Sequence, residues 1–152
     1  MPQKSVFYAD WQLACCGTSF AVDDEVTWTL VAYDAKDRRD GVGHGAEAWV
    51  EHHGGPDEQA VGRVRAIELV HQEYTYRPAA PEPAPRGRGV VLRAAGRGLE
   101  PVPGSVTMEP ADGCPRWFEE TDLGTAQGLG RVRRTVGVLV TLDITGSARR
   151  VR

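Results

Sequence analysis

The chain has 152 residues, 41% hydrophobic and 26% charged, so it is long enough for a buried core and too apolar to be disordered. No apolar run approaches the length of a membrane span, and the first residues lack the hydrophobic segment of a signal peptide. The net charge is −3, and the charge is divided unevenly. Residues 1–76 have 6 basic and 13 acidic side chains (net −7), and residues 77–152 have 12 basic and 8 acidic side chains (net +4). A general nucleic-acid-binding protein would be more basic than this.

The first half of the chain has the period-two alternation of half-buried strands. We predict strands at residues 4–9, 24–33, 46–52 and 60–76, the last with a bulge near Ala66–Ile67 where the alternation slips. Between the first two strands, Cys15-Cys16-Gly17 is expected to form a tight turn. The polar, glycine-rich residues 34–45 are expected to form a connecting loop.

The second half begins with a proline-rich segment, residues 77–89, which is typical of an extended linker. Strands are predicted at residues 90–95, 105–109 and 131–144, and the rest of 96–130 is expected to be irregular. The basic tail, residues 147–152, is expected to be frayed.

These elements predict a mostly-β protein, with residues 1–152 as a single domain. The expected fold is a small barrel or a two-sheet sandwich. Residues 4–76 form an SH3-like or OB-like unit, which strands within residues 90–146 complete across the linker. The four tryptophans are predicted to lie in the core, because aromatic side chains bury large areas.

Two pairs of metal-ligand side chains stand beside glycines, Cys15-Cys16 and His52-His53. Thiolate and imidazole ligands suit Zn²⁺ or a copper ion, so these four residues are the candidate metal site, with zinc as the expected ion. Adjacent residues in a strand point to opposite faces, so both members of a pair reach one ion only at a sharp turn. One cysteine with one histidine needs further ligands, for which the sequence offers His44, His71, Cys114 or water.

Three other interpretations of the cysteine pair stay open. In the first, one thiol is a small buried apolar side chain. In the second, the pair forms a vicinal disulfide, and in the third, a thiolate beside His52 or His53 acts as a nucleophile. Three cysteines, two of them adjacent, make a poor disulfide framework and favour a reducing cytoplasm.

A second candidate site is basic and aromatic. It consists of Arg131, Arg133 and Arg134 with Tyr74 and Tyr76, which suit the backbone and bases of a single-stranded nucleic acid. The alternative is that the arginines form a solvated strand face and that the tyrosines pair across strands.

The residues around the two ligand pairs also carry a family resemblance. The pattern is Trp11-Gln12, Cys15-Cys16-Gly17, Phe20, Val26 and Trp28, followed by Glu51-His52-His53-Gly54. It resembles a family of small uncharacterised actinobacterial proteins, a domain of unknown function. The resemblance covers roughly the first half of the chain and implies a cytoplasmic protein of a high-GC bacterium, but it implies no activity.

The sequence has no P-loop, nucleophile elbow, zinc-protease motif or dinucleotide fingerprint. We therefore predict a cytoplasmic binding or adaptor module without catalytic activity, which contacts a protein partner and no membrane. The alternatives are a zinc- or copper-binding protein and a single-stranded nucleic-acid binder.

Overall fold

The computed structural model describes residues 2–78 and 98–149. Strands dominate, and nine of them form one curled, half-barrel-like sheet, which confirms the predicted mostly-β, barrel-like fold. The helices are α1 (Asp10–Cys16) and α2 (Ala35–Arg39). The strands in chain order are β1 (Gln3–Ala9), β2 (Phe20–Ala21), β3 (Glu25–Trp28), β4 (Leu30–Ala32), β5 (Ala48–Val50), β6 (Glu58–Tyr76), β7 (Glu100–Pro101), β8 (Thr107–Ala111), β9 (Gly113–Cys114), β10 (Thr121–Ala126) and β11 (Leu129–Arg149).

The two longest strands form the frame of the sheet. β6 and β11 pair antiparallel from Gly130↔Tyr76 to Arg149↔Glu58, and the sheet runs in the order β3-β6-β11-β1-β5-β4. The register shifts where Arg65 is inserted between Val64 and Ala66, beside the position of the predicted bulge. β2 and β9 form a separate two-stranded pair. The inner face of the curled sheet packs around a core that includes Val6, Tyr8, Leu13, Trp28, Val64, Val138, Val140 and Leu142.

Several predicted elements need correction. The predicted strand 24–33 is two strands, because the chain leaves β6 as its partner after Trp28 and pairs with β5 from Leu30. The predicted loop 34–45 contains α2, which Asp34 caps by accepting a hydrogen bond from the Asp37 backbone N–H at 2.7 Å.

The stretch 96–130 is more regular than predicted, since it contains β7, β9 and β10 besides β8, which overlaps the predicted strand 105–109. Two of its prolines lie within strands. Pro101 lies in β7 and Pro110 lies in β8, and both strands pair only with β6 among the described residues. An edge strand tolerates proline because one side of it needs no ladder hydrogen bond.

Some predictions fall on residues that the structure does not describe. The predicted strand 90–95 lies outside the described residues, as does the predicted linker 77–89 from residue 79 onward. Of the tail predicted to fray, residues 150–152 lie outside them, whereas Ser147–Arg149 belong to β11. In the described part of the chain, no helix is long and apolar enough to cross a membrane.

The tryptophans do not all lie in the core as predicted. Trp28 is buried and Trp49 is half-buried, but Trp11 is 57% exposed and Trp117 is 69% exposed. Trp11 projects from α1, whose buried side is formed by Gln12 and Leu13. An exposed tryptophan is therefore available on the surface next to the cysteine pair.

Two ionisable groups of the core predict a loss of stability in alkali. Burial raises the pKa of Tyr8 to about 12 from 10.0 and that of the Cys114 thiol to about 12 from 9.0. Between these values the unfolded chain has released protons that the folded chain still holds, so the free energy of unfolding falls as the pH rises. We expect the free energy of unfolding, measured by urea titration, to fall between about pH 9 and 12, by up to about 1.4 kcal/mol per pH unit for each group.

The Cys114→Ala variant separates the two contributions. Because the buried thiol is then absent and tyrosines with raised pKa values remain, the stability of this variant should begin to fall near the ordinary tyrosine pKa of 10.0 instead of at 9.0. A midpoint that stays constant across this whole interval would contradict the prediction.

Candidate metal centre

A pair of parallel strands brings the cysteine and histidine pairs together. β1 and β5 are parallel neighbours, with Val6 opposite Ala48 and Phe7 opposite Trp49. Parallel strands point their carboxyl ends toward the same edge of a sheet. α1 follows β1 directly and ends in the cysteine pair, and the histidine pair follows β5 two residues after Val50. Both pairs therefore leave the sheet at one edge.

The cysteines lie at the end of a helix and not in the predicted turn between strands. α1 ends where the Gly17 N–H donates to the Leu13 carbonyl at 3.0 Å. A Cβ at residue 17 would lie 2.6 Å from the Tyr8 hydroxyl oxygen and 2.9 Å from the Leu13 Cα, so only glycine allows this close approach. Successive helical residues are about 100° apart, which directs both thiols to one side of the helix end instead of to opposite faces of a strand.

Cys15, Cys16 and His53 form one cluster. The two cysteines are joined in a disulfide. The Nε2 atom of His53 lies 3.6 Å from the Cys15 Sγ and 3.7 Å from the Cys16 Sγ. All three residues are exposed, so the alternative of a small buried thiol is wrong for this pair. The three ligand atoms lie within 4.8 Å of one another, which is close enough to share one metal ion.

Glu51 and two tryptophans fix the position of His53. The Glu51 carboxylate accepts hydrogen bonds from the Trp49 indole N–H at 2.9 Å and from the His53 backbone N–H at 2.8 Å. These two bonds hold the pKa of Glu51 below its ordinary value. The carboxylate therefore stays ionised, with one oxygen 3.8 Å from His53 Nδ1. The Trp11 ring stacks on the imidazole with ring centroids 5.4 Å apart.

His52, the fourth predicted ligand, turns toward the core. Its Nε2 atom shares a short hydrogen bond with the Tyr8 hydroxyl, and its backbone N–H donates to the Gln12 side chain at 2.8 Å. Burial keeps Tyr8 protonated, so the phenol can donate to a neutral imidazole. The two histidines therefore have different contacts. His53 faces the sulfur atoms, and His52 bonds the turn to β1 and α1.

The other residues proposed as further ligands lie elsewhere. Cys114 is buried beside Phe20 in the β2–β9 pair. His71 is buried on β6, where its ring contacts Thr135 and Glu109 at 2.9 Å each. Burial lowers the pKa of His44, whose ring lies 5.0 Å from that of Phe7. Among the described residues, none of these three therefore joins the cluster of Cys15, Cys16 and His53.

The residues of the predicted nucleic-acid site lie along the paired strands β6 and β11. Arg131 donates to Glu73 at 2.6 Å, and Arg134 lies 3.7 Å from a carboxylate oxygen of Asp10. Arg133 is exposed. The two tyrosines are half-buried, with Tyr74 opposite Val132 and Tyr76 opposite Gly130. Neighbouring carboxylates thus offset part of the positive charge that a phosphate backbone would need.

Glu51 and Trp11 contact His53 but were not among the site residues predicted from the sequence. The signal for Glu51 was present, because Trp49, Glu51 and His53 alternate along the chain and alternate residues share a side of an extended segment. Trp11 lies four residues before Cys15, which is one helical turn. The spacing indicates that Trp11 and Cys15 are neighbours only if the segment is helical, and the sequence predicted a turn there.

Comparisons with known proteins give a family and no activity. A family model described as a family of unknown function, DUF6578, matches residues 2–144. No curated protein and no solved structure matches the chain significantly.

Proposed function

Because the chain belongs to the DUF6578 family, whose function is unknown, we propose a function from its own side chains: it binds a thiophilic metal ion. In this proposal the Cys15 and Cys16 thiolates and His53 Nε2 are the ligands, and the ion is Zn²⁺ or Cu⁺. The observation that carries the proposal is the meeting of two sulfurs and one imidazole nitrogen that come from segments 37 residues apart.

The distances support a shared ion. Ligands at the usual zinc–sulfur and zinc–nitrogen distances around a tetrahedral ion have sulfur and nitrogen atoms about 3.6 Å apart. The two separations between sulfur and His53 Nε2 are 3.6 and 3.7 Å. This agreement supports the proposal, in which the two sulfurs still have to move apart when the disulfide is reduced.

The disulfide makes the proposed binding depend on redox state. Thiolates bind metals and a disulfide does not, so a thiol reductant must first reduce the bond. Two reductant thiols give two electrons and two protons, the S–S bond breaks, and the reductant leaves as its own disulfide. The freed sulfurs then separate to about 3.8 Å, the distance between two sulfurs on one tetrahedral ion. Binding of the ion displaces both thiol protons.

Glu51 lies beside the nitrogen of His53 that would not bind the metal. A carboxylate near the second nitrogen of a ligating histidine orients the ring and raises its basicity. Glu51 has this position relative to His53, although 3.8 Å is an electrostatic contact and not a hydrogen bond. Its negative charge also favours a cation at the exposed cluster.

The other predicted functions have weaker support. The arginines proposed to bind single-stranded nucleic acid are partly paired with Glu73 and Asp10. An adaptor role with a protein partner, a cytoplasmic location and an actinobacterial origin stay predictions.

Metal titration of the two redox forms tests the proposal. Tag-free protein is reduced, freed of reductant without oxygen, and titrated with Zn²⁺ or Co²⁺, since thiolate ligands give Co²⁺ intense charge-transfer absorption. We expect one equivalent to bind to the reduced form and none to bind at the same site in the disulfide form. The Cys114→Ala variant is the matched thiol control and should bind like the parent. Equal binding by both redox forms, or none by the reduced form, would overturn the proposal.

A further inference from the structure

A second concave site lies beside the cysteine–histidine cluster. It is a groove with a cavity volume of about 310 Å³, at the lower end of the range for small-molecule sites. No basic side chain is among the described residues that line it. Four aromatic and two acidic side chains contribute to its walls, namely Phe7, Trp11, Tyr33, Trp49, Asp37 and Glu51. We call this feature the aromatic groove.

The walls of the aromatic groove are held in place before any ligand binds. The Trp49 indole N–H is bonded to Glu51, which fixes the plane of the ring. Tyr33 lies against Trp49, with ring centroids 4.7 Å apart, and covers Gly43, where a Cβ would meet the tyrosine ring at 2.6 Å. A site whose rings are already fixed loses little conformational entropy on binding.

The charge of the aromatic groove selects a cation. Burial, and next the charge of Asp37, raise the pKa of Tyr33 to about 12, so the phenol stays neutral at neutral pH. The carboxylates of Asp37 and Glu51 are then the charged groups that line the groove. Aromatic faces attract cations, and this attraction is stronger where the contact is desolvated. A neutral ligand would cover both carboxylates without compensating their lost hydration.

We propose that the aromatic groove binds the quaternary ammonium group of a small molecule. A trimethylammonium group offers methyl surface to the rings and a positive charge to the carboxylates, and it has no N–H that would need a hydrogen-bond acceptor. This site is separate from the proposed metal site, although Trp11 and Glu51 border both.

Fluorescence titration with choline tests the proposal, because Trp11 and Trp49 line the groove. The disulfide form is used with a metal chelator, so that the outcome does not depend on metal binding. The control ligand is 3,3-dimethyl-1-butanol, which has the shape of choline without its charge. Choline should bind at least about 10-fold more tightly than the alcohol, as expected for a cation–π site.

Three variants locate the binding. Asp37→Asn removes one charge at constant size and should weaken choline binding by about 5-fold. Trp11→Leu removes an exposed wall and should weaken it by about 5-fold or more. Trp117→Leu changes a tryptophan that is 69% exposed and outside the groove, so it should leave binding unchanged and lower only the background fluorescence.

Four outcomes would overturn the proposal. They are no saturable binding of choline, equal binding of choline and the alcohol, binding that neither groove variant weakens, and tighter binding of a trimethyl-lysine peptide than of choline. The last would assign the aromatic groove to a protein partner instead of a small molecule.

Discussion

Replacing His53 by alanine is expected to weaken Zn²⁺ binding by the reduced protein about 100-fold or more. Loss of a residue that only hydrogen-bonds to a metal ligand already weakens metal binding by about 10- to 100-fold. Loss of a ligand itself should therefore weaken binding by at least the upper value. The remaining two thiolates come from adjacent residues, and His53 is the one member of the cluster among the described residues that comes from a second segment. Competition with a chromophoric chelator measures the affinity.

The matched control for this variant is His44→Asn. His44 has a positive φ of 56°, a conformation that asparagine also adopts readily, so the exchange removes an imidazole without backbone strain. Its ring lies against Phe7 and away from the sulfur atoms, and the affinity should stay at the parental value. If His53→Ala and His44→Asn bind zinc alike, His53 is not a ligand.

Replacing Gly137 by alanine is expected to lower the free energy of unfolding by about 3 kcal/mol or more, the upper end of what overpacking costs. Gly137 lies at a register shift of β11 and pairs with Ala9, the last residue of β1. A Cβ there would lie 2.5 Å from the Tyr8 carbonyl oxygen and 2.6 Å from the Phe7 Cζ. The backbone oxygen cannot move without displacing β1 and, with it, the start of α1.

Gly146→Ala is the control on the same strand. A Cβ at residue 146 has nothing within 4 Å, so the substitution removes only the freedom of glycine in the unfolded chain and should be neutral or stabilising by about 0.4–1 kcal/mol. Urea unfolding followed by tryptophan fluorescence compares the two variants. Equal midpoints would show that the packing between β11 and β1 is not as tight as described.

The sequence predicts those parts of the fold that rest on alternation. β6 and β11 follow it over many residues, and even the bulge in β6 shows as a slip of the pattern near Ala66. The prediction fails where elements are short. α1 has seven residues, too few for a helical period to be distinguished from a turn. It also fails at irregularities within a strand, since the polar residue Thr135 is buried where the register shifts before Gly137.

The candidate site was predictable as a set of residue types but not as an arrangement. Cys15, Cys16 and His53 meet because β1 and β5 are parallel neighbours, and a sequence of short strands does not reveal which of them pair. Nothing in two adjacent histidines distinguishes the one that faces the sulfur atoms from His52, which the Tyr8 hydroxyl draws inward. That choice depends on the path of the turn after β5.

The short junction between β1 and β5 has a consequence for the local stability of the cluster formed by Cys15, Cys16 and His53. Two residue pairs, Val6↔Ala48 and Phe7↔Trp49, join these strands, whereas the ladder between β6 and β11 extends along almost the whole of both strands. Sub-global opening costs least where few backbone hydrogen bonds must break. The His53 side of the cluster is therefore expected to detach at a lower free energy than the sheet unfolds, while the paired strands β6 and β11 stay intact.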